Sequence, residues 1–282
     1  MKKFLSISGR ILSGLVLFGI SLYVLIILIR FSISPLNPHH MKPVPFFTTL
    51  ALIILAMIVL AACANKSSRT STEYSVLRDL TDSTSVMPDE AALLADLGID
   101  TDIWNGVNFN FFNVSDVSYT PHWRISLAKG GDRLTSSEYT RKREVIAFKK
   151  KLTALLDSAR SDTEGRNHSS IYLPMAEELT RLAGSNAERK VLIVYSDLME
   201  NRQRLSFYDT RTFSLLRADP KKIEQLLFAE AALPDLSGIE IRFVYAPKDA
   251  ADDANFRLVS DFFRSMFEKQ GATVSVSANL IQ

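Results

Sequence analysis

The chain has 282 residues, 23% of them charged and 47% hydrophobic, enough for one sizeable domain and an appendage. Its net charge of +2 hides an asymmetry. Residues 1–62 hold Lys2, Lys3, Arg10, Arg30 and Lys42 and no acid, leaving 28 basic against 31 acidic residues in 63–282. A mildly acidic remainder excludes the clustered basic footprint of a nucleic-acid-binding domain.

Two uncharged apolar runs dominate the start. Ile11 to Ile29 is long enough to span a bilayer, and Val44 to Ala62 is of similar length. The second ends Leu60-Ala61-Ala62-Cys63, directly before the polar stretch Asn65 to Thr72. Small residues before a cysteine, after an apolar core, resemble the lipobox of bacterial lipoprotein signal peptides. Cys63 is the only cysteine, so internal disulfides and cysteine metal sites are excluded. The expected division is an apolar extension over 1–40 (a transmembrane segment or a misassigned start), a signal peptide over 41–62 opening at Met41-Lys42, a lipidated Cys63 with a polar tether to 72, and a domain over 73–282. The alternative is a two-helix hairpin with residues 32–43 as its loop, which the basic N-terminus would orient with both ends in the cytoplasm.

After the tether, a strand over 74–80 runs into Asp79, Thr81, Asp82, Ser83, Thr84 and Ser85. Pro88-Asp89-Glu90 opens a helix that Gly98 closes. Gly106 to Val114 and His122 to Ala128 alternate as strands. Too little chain separates them for a crossover helix, so they form an antiparallel pair at one sheet edge. Ser136-Ser137-Glu138 begins a helix to about Arg160, whose run Arg141, Lys142, Arg143, Lys149, Lys150, Lys151 reads as its wet face. A polar loop over 161–170 leads to a helix over 173–182. The continuous apolar run Val191 to Tyr195 is a central parallel strand buried on both faces, ending in Ser196-Asp197. Residues 203–219 form a connection without a clear assignment. A helix over 220–231, a strand over 239–246, a helix over 251–270 and a strand over 273–278 complete the chain. The predicted fold is three-layer α/β: a mostly parallel central sheet, helices on both faces and one antiparallel edge strand.

In such sheets ligands sit beyond the carboxyl ends of the strands, at the switch point of the strand order. Three polar loops are expected there, supplying Asp79, Thr81 and Ser83, then Ser169, then Asp197. A carboxylate at a sheet end is costly to desolvate unless paired or metal-bound, which singles out Asp197. Hydroxyl and carboxylate oxygens suit a hard cation, Mg²⁺, Mn²⁺ or Ca²⁺. Asp82 and Ser85 also fit turn or capping duties, Glu200 a solvent-facing position, and Phe207 with Tyr208 the rim of a partner surface. His168, beside Ser169, reads as a surface loop residue.

With these loops the chain resembles the von Willebrand factor A domain family. That family carries Asp-x-Ser-x-Ser after its first strand, a Thr in a second loop and an Asp after its fourth strand. The matching positions here are Asp79-Leu80-Thr81-Asp82-Ser83, Ser169 and Asp197. Val194 to Asn201 resembles the fourth-strand signature of bacterial members. Thr81 stands where Ser is usual and Ser169 where Thr is usual, both keeping a hydroxyl, and Ser170 is an alternative to Ser169. The resemblance implies a metal-ion-dependent adhesion site at Asp79, Thr81, Ser83, Ser169 and Asp197. An acidic side chain of a protein partner completes the cation's coordination there, and no bond is made or broken. The expected function is therefore a membrane-anchored, non-enzymatic interaction module of the bacterial cell envelope. The alternatives are a metal-free structural subunit of an envelope assembly and a metal-dependent phosphohydrolase. The last lacks the second Asp that such enzymes place two positions on, where Thr81 stands.

Overall fold

A computed structural model describes residues 69–80, 87–114, 122–131, 137–162, 170–202 and 205–280. The chain divides into two compact units, Met1–Ser67 and Ser68–Gln282, and all the described residues belong to the second. The apolar runs and Cys63 therefore lie outside the described residues. Among the described residues no helix is long and apolar enough to cross a membrane.

In chain order the elements are β1 (Ser71–Asp79), α1 (Glu90–Leu97), β2 (Gly106–Val114), β3 (His122–Leu127), α2 (Glu138–Ser161), α3 (Tyr172–Ala183), β4 (Arg189–Tyr195), β5 (Asn201–Arg202), β6 (Leu205–Ser206), α4 (Thr210–Ala218), α5 (Pro220–Glu230), β7 (Ile239–Val244), α6 (Ala250–Lys269) and β8 (Thr273–Ser277). Six strands form one sheet in the order β3-β2-β1-β4-β7-β8, and β5 and β6 form a small separate hairpin. All neighbours in the large sheet are parallel except β2 and β3. The three-layer α/β fold with an antiparallel edge is as the sequence predicts.

Strand periodicity builds the layers. Tyr74, Val76, Val107, Phe109, Phe111, Val191 and Ile193 pack on one face with Leu93 and Leu97 of α1 and Val145, Phe148, Leu152 and Leu156 of α2. Leu77, Leu192, Val194, Ile241 and Phe243 pack on the other with α3, α4, α5 and α6, including Phe263 and Phe267. Helix ends follow local chemistry. Asp89 caps α1 by accepting from the Ala92 amide, and Gly98 closes it at φ 65°, a left-handed conformation that glycine adopts without steric cost.

Three expectations are corrected here, and one unassigned stretch is resolved. β1 begins at Ser71, so Ser71 and Thr72 belong to the strand rather than the tether; Thr72 pairs with both Val107 and Arg189. Arg141 is not on the wet face of α2. It is 3% exposed and donates to the carbonyls of Ile103 and Asn105 and to Glu144. Phe207 is buried and meets Phe263 edge-on, leaving only Tyr208 exposed. The connection over 203–219 contains the second strand of the β5–β6 hairpin and α4, which Asp209 caps.

Candidate cation site at the strand ends

The strand order reverses between β1 and β4: the chain moves outward from β1 to β2 and β3, then returns beside β1 and moves the other way. Loops leaving two central strands at such a point diverge and open a crevice at their carboxyl ends. Asp79 is the last residue of β1, and Ser196-Asp197 immediately follow β4.

The register sets their meeting. Arg78 pairs with Tyr195, so the next residues, Asp79 and Ser196, come side by side. Both point to the face shared with Leu77 and Val194. Asp79 is 1% exposed, and the Ser196 hydroxyl donates to its Oδ2 over 2.8 Å. The same hydroxyl accepts from the Leu198 amide at 2.8 Å, while Asp197 Oδ1 accepts from the Met199 amide at 2.9 Å. These two side-chain turns hold Leu198 at φ 62°. A branched residue in the left-handed region is strained, and such strain persists only where surrounding contacts enforce it. Asp197 is half-buried, and the exposed Tyr208 hydroxyl donates to its Oδ2 at 3.2 Å.

Glu200, read from sequence as solvent-facing, has no exposed surface. Its Oε2 accepts from the Ile171 and Tyr172 amides at the head of α3, at 3.1 and 2.9 Å. Its other oxygen pairs with the Arg202 guanidinium, which also pairs with Glu230 of α5. Burial pushes the Glu200 carboxyl up to about 6, opposed by Arg202 and the two amides. The loop after β4 is thus clamped to the start of α3. There Ser170 is 1% exposed, and among the described residues its hydroxyl has no hydrogen-bond partner. Buried hydroxyls without partners are uncommon and require a reason.

Of the expected ligands, Asp79 and Asp197 lie at the ends of β1 and β4. Thr81, Ser83 and Ser169, with Asp82, Ser85 and His168, lie outside the described residues. Among the described residues no three of His, Cys, Asp and Glu cluster as a metal-binding group. The donors present at the strand ends are carboxylates and hydroxyls, with the Ser170 hydroxyl in want of a partner, and that chemistry fits a hard cation. Sequence reasoning missed Ser196, although its place immediately before Asp197 was a signal. Glu200 and Arg202 had none, because their partners come from α3 and α5.

Beside Asp197 a cleft of about 330 Å³ opens between α4 and α6, lined by Met199, Tyr208, Phe213, Arg217 and Asp252 among others. Arg217 lies over the Phe213 ring at 5.0 Å. Neither comparison with models of known protein families nor comparison with curated proteins found a match.

Proposed function

We propose that this chain is a membrane-anchored, non-enzymatic interaction module that binds a protein partner through a divalent cation, Mg²⁺ or else Mn²⁺ or Ca²⁺. The observation that carries this reading is the pair Asp79 and Asp197 at the carboxyl ends of β1 and β4, where the strand order reverses. The ligands are Asp79 and Asp197 with the hydroxyls of Thr81, Ser83 and Ser169. The Ser170 hydroxyl, without a partner among the described residues, stands ready to share or replace the role of Ser169. Ser196 holds Asp79 in place, and Tyr208 holds Asp197 at the mouth of the neighbouring cleft. The cation, when bound, supplies an open coordination position that a partner's acidic side chain fills. The apolar run ending at Ala62 and the lone Cys63 support a lipid anchor in the cell envelope.

A second reading, a metal-free structural subunit of an envelope assembly, is favoured by the bonds that Asp79 and Asp197 already make with Ser196, the Met199 amide and Tyr208. Calorimetric titration of Mg²⁺ and Mn²⁺ into the full chain in detergent separates the two. Heat of binding that vanishes in Asp79→Ala and Asp197→Ala supports the adhesion site; a wild type that takes up no cation leaves the structural subunit. Turnover of a phosphate ester lost in Asp79→Ala would overturn the non-enzymatic reading. Intact mass of the membrane-extracted protein tests the anchor, and an unprocessed N-terminus with unmodified Cys63 would remove it.

A further inference from the structure

Among the described residues the exposed large apolar side chains are Tyr139, Ile146, Tyr208 and Leu226. Single exposed apolar residues are ordinary. Tyr139 and Ile146, however, share one helix. They are 72% and 53% exposed and stand seven residues apart on α2. Arg143 and Lys150 complete the i, i+4, i+7, i+11 series, so the four side chains form one stripe over three turns. The stripe lies opposite the core-facing residues Val145, Phe148, Leu152 and Leu155. The Arg143 guanidinium sits over the Tyr139 ring at 6.0 Å, and Lys142 and Lys151 flank the stripe. The two acids of this half of the helix are engaged: Glu138 pairs with Lys142 and Glu144 with the buried Arg141. Beside the stripe a groove between α2 and the end of β3, of about 510 Å³, is lined by Lys151, by Lys129, which pairs with Glu188, and by Glu144, which pairs with Arg141.

We propose that this stripe of α2 is a docking face for an anionic lipid surface, to which it holds the flank of the domain. Aromatic and apolar side chains interleaved with Lys and Arg on the outer face of a helix suit the interface plane of a bilayer. The path of the chain supplies the second argument. Eight residues, 63–70, separate the apolar run ending at Ala62 from the first residue of β1. Fully extended, they span about 28 Å. Residues 69 and 70 enter the domain at the corner where α2 starts: Arg69 donates to the Gly130 carbonyl, Gly106 to the Thr70 carbonyl, and Arg141 of the first turn to the Asn105 carbonyl. From Tyr139 to Lys150 the helix rises only about 17 Å. On the anchored reading, a tether of that length is long enough to let the stripe reach lipid. The docked flank is the α1/α2 layer, which leaves the cleft beside Asp197, on the opposite layer, open to water.

This inference rests on the anchored reading above. Its test uses the full chain reconstituted into neutral phosphatidylcholine vesicles and into vesicles with added phosphatidylglycerol. Lysine labelling by a water-soluble acylating reagent is read by mass spectrometry. The expected result is roughly five-fold slower labelling of Lys150 and Lys142 on the anionic vesicles, with Lys221 and Lys222 of α5 unchanged, and loss of the difference at 1 M salt. The double variant Arg143→Glu/Lys150→Glu, read at Lys142, should show no lipid dependence. Equal labelling on both vesicles, from protein that floats with both, overturns the docking face alone. Protein that floats with neither overturns the anchored reading and the docking face with it. Protection that persists on neutral vesicles and grows with protein concentration assigns the stripe to a second copy of the chain instead.

Discussion

Two buried polar clusters lie on the same face of the sheet, one beside the first half of β1 and one beyond its carboxyl end. In the first, Arg181 donates to Glu73, Glu178 and Ser75, Asn108 donates to Glu73 at 2.7 Å, and Arg124 donates to Asn110 at 2.6 Å. Burial works against the charge on Arg181, yet its bonds to Glu178 and Glu73 raise its affinity for the proton. In the second, Leu198 is held in a left-handed conformation, Glu200 is pushed up by burial, and the Ser170 hydroxyl has no partner among the described residues. The first cluster is closed: both buried carboxylates, Glu73 and Glu178, are answered by Arg181. The second is held under strain and, among the described residues, left partly unanswered, as the proposed cation site requires. Buried polarity alone does not distinguish them.

The largest expected effect falls on the closed cluster. Arg181→Met strands Glu73 and Glu178, which are 8% and 5% exposed. Removing one partner from a buried ionic network typically costs about 3–5 kcal/mol. Thermal unfolding of the detergent-solubilised chain should show that loss, while cation affinity in the protein that remains folded stays unchanged. A matching loss of cation affinity would merge the two clusters into one functional unit.

The reverse pattern is expected at the strand ends. Asp79→Asn and Asp197→Asn keep an oxygen that accepts from Ser196 and from the Met199 amide, so stability should move by less than about 1 kcal/mol. Cation affinity should fall by roughly 100-fold or more, since a hard cation loses a charged oxygen ligand. Variants that unfold while leaving cation uptake intact would make Asp79 and Asp197 architectural, like Glu73 and Glu178.

Glu200 offers a difference in pH dependence. Its folded-state value of about 6 lies above the ordinary 4.5. The folded protein therefore binds more protons in that window, and stability falls as pH rises. The contribution is fully present below 4.5 and lost through about 6, amounting to about 2 kcal/mol. Denaturation between pH 4 and 7 should show this slope, and Glu200→Gln should flatten it. A slope unchanged in Glu200→Gln would assign the titration to another group.

Most of the fold was legible because it follows from local pattern. The doubly buried run Val191 to Tyr195, the alternation of β2 and β3 and the capping residues Asp89 and Ser137 each act within a few positions. The antiparallel edge followed from a connection too short for a crossover. What stayed hidden depends on distant partners. Arg141 belongs to a charge run and looks wet until the carbonyls of Ile103 and Asn105, 38 and 36 residues away, take its guanidinium. Glu200 looks exposed until the head of α3 supplies two amides. Asp79 and Ser196 lie 117 residues apart, and only the parallel register of β1 with β4 brings them together. Asp79 and Asp197 were legible because the end of an apolar strand is a recognisable address. The bonds that hold them were not.

The smallest expected effect cuts most finely between the clusters. Ser170→Ala removes a hydroxyl that is buried and, among the described residues, without a partner. In a purely architectural cluster that hydroxyl contributes only an unmet desolvation cost, so its removal should raise stability by up to about 1 kcal/mol and change nothing else. In a ligand site the same gain in stability should come with a weaker hold on the cation, roughly ten-fold, or about 1.4 kcal/mol. Ser75→Ala is the matched control on the closed cluster. Its hydroxyl is equally buried but bonded to Glu178 and Arg181, so its removal should cost about 1 kcal/mol and leave cation affinity untouched. Opposite signs in stability for the two serines, with cation affinity falling only for Ser170→Ala, would locate the open valence at the head of α3. The same sign for both would mean that Ser170 has a partner of the structural kind, and the contrast between the two clusters would then rest on Leu198 and Glu200 alone.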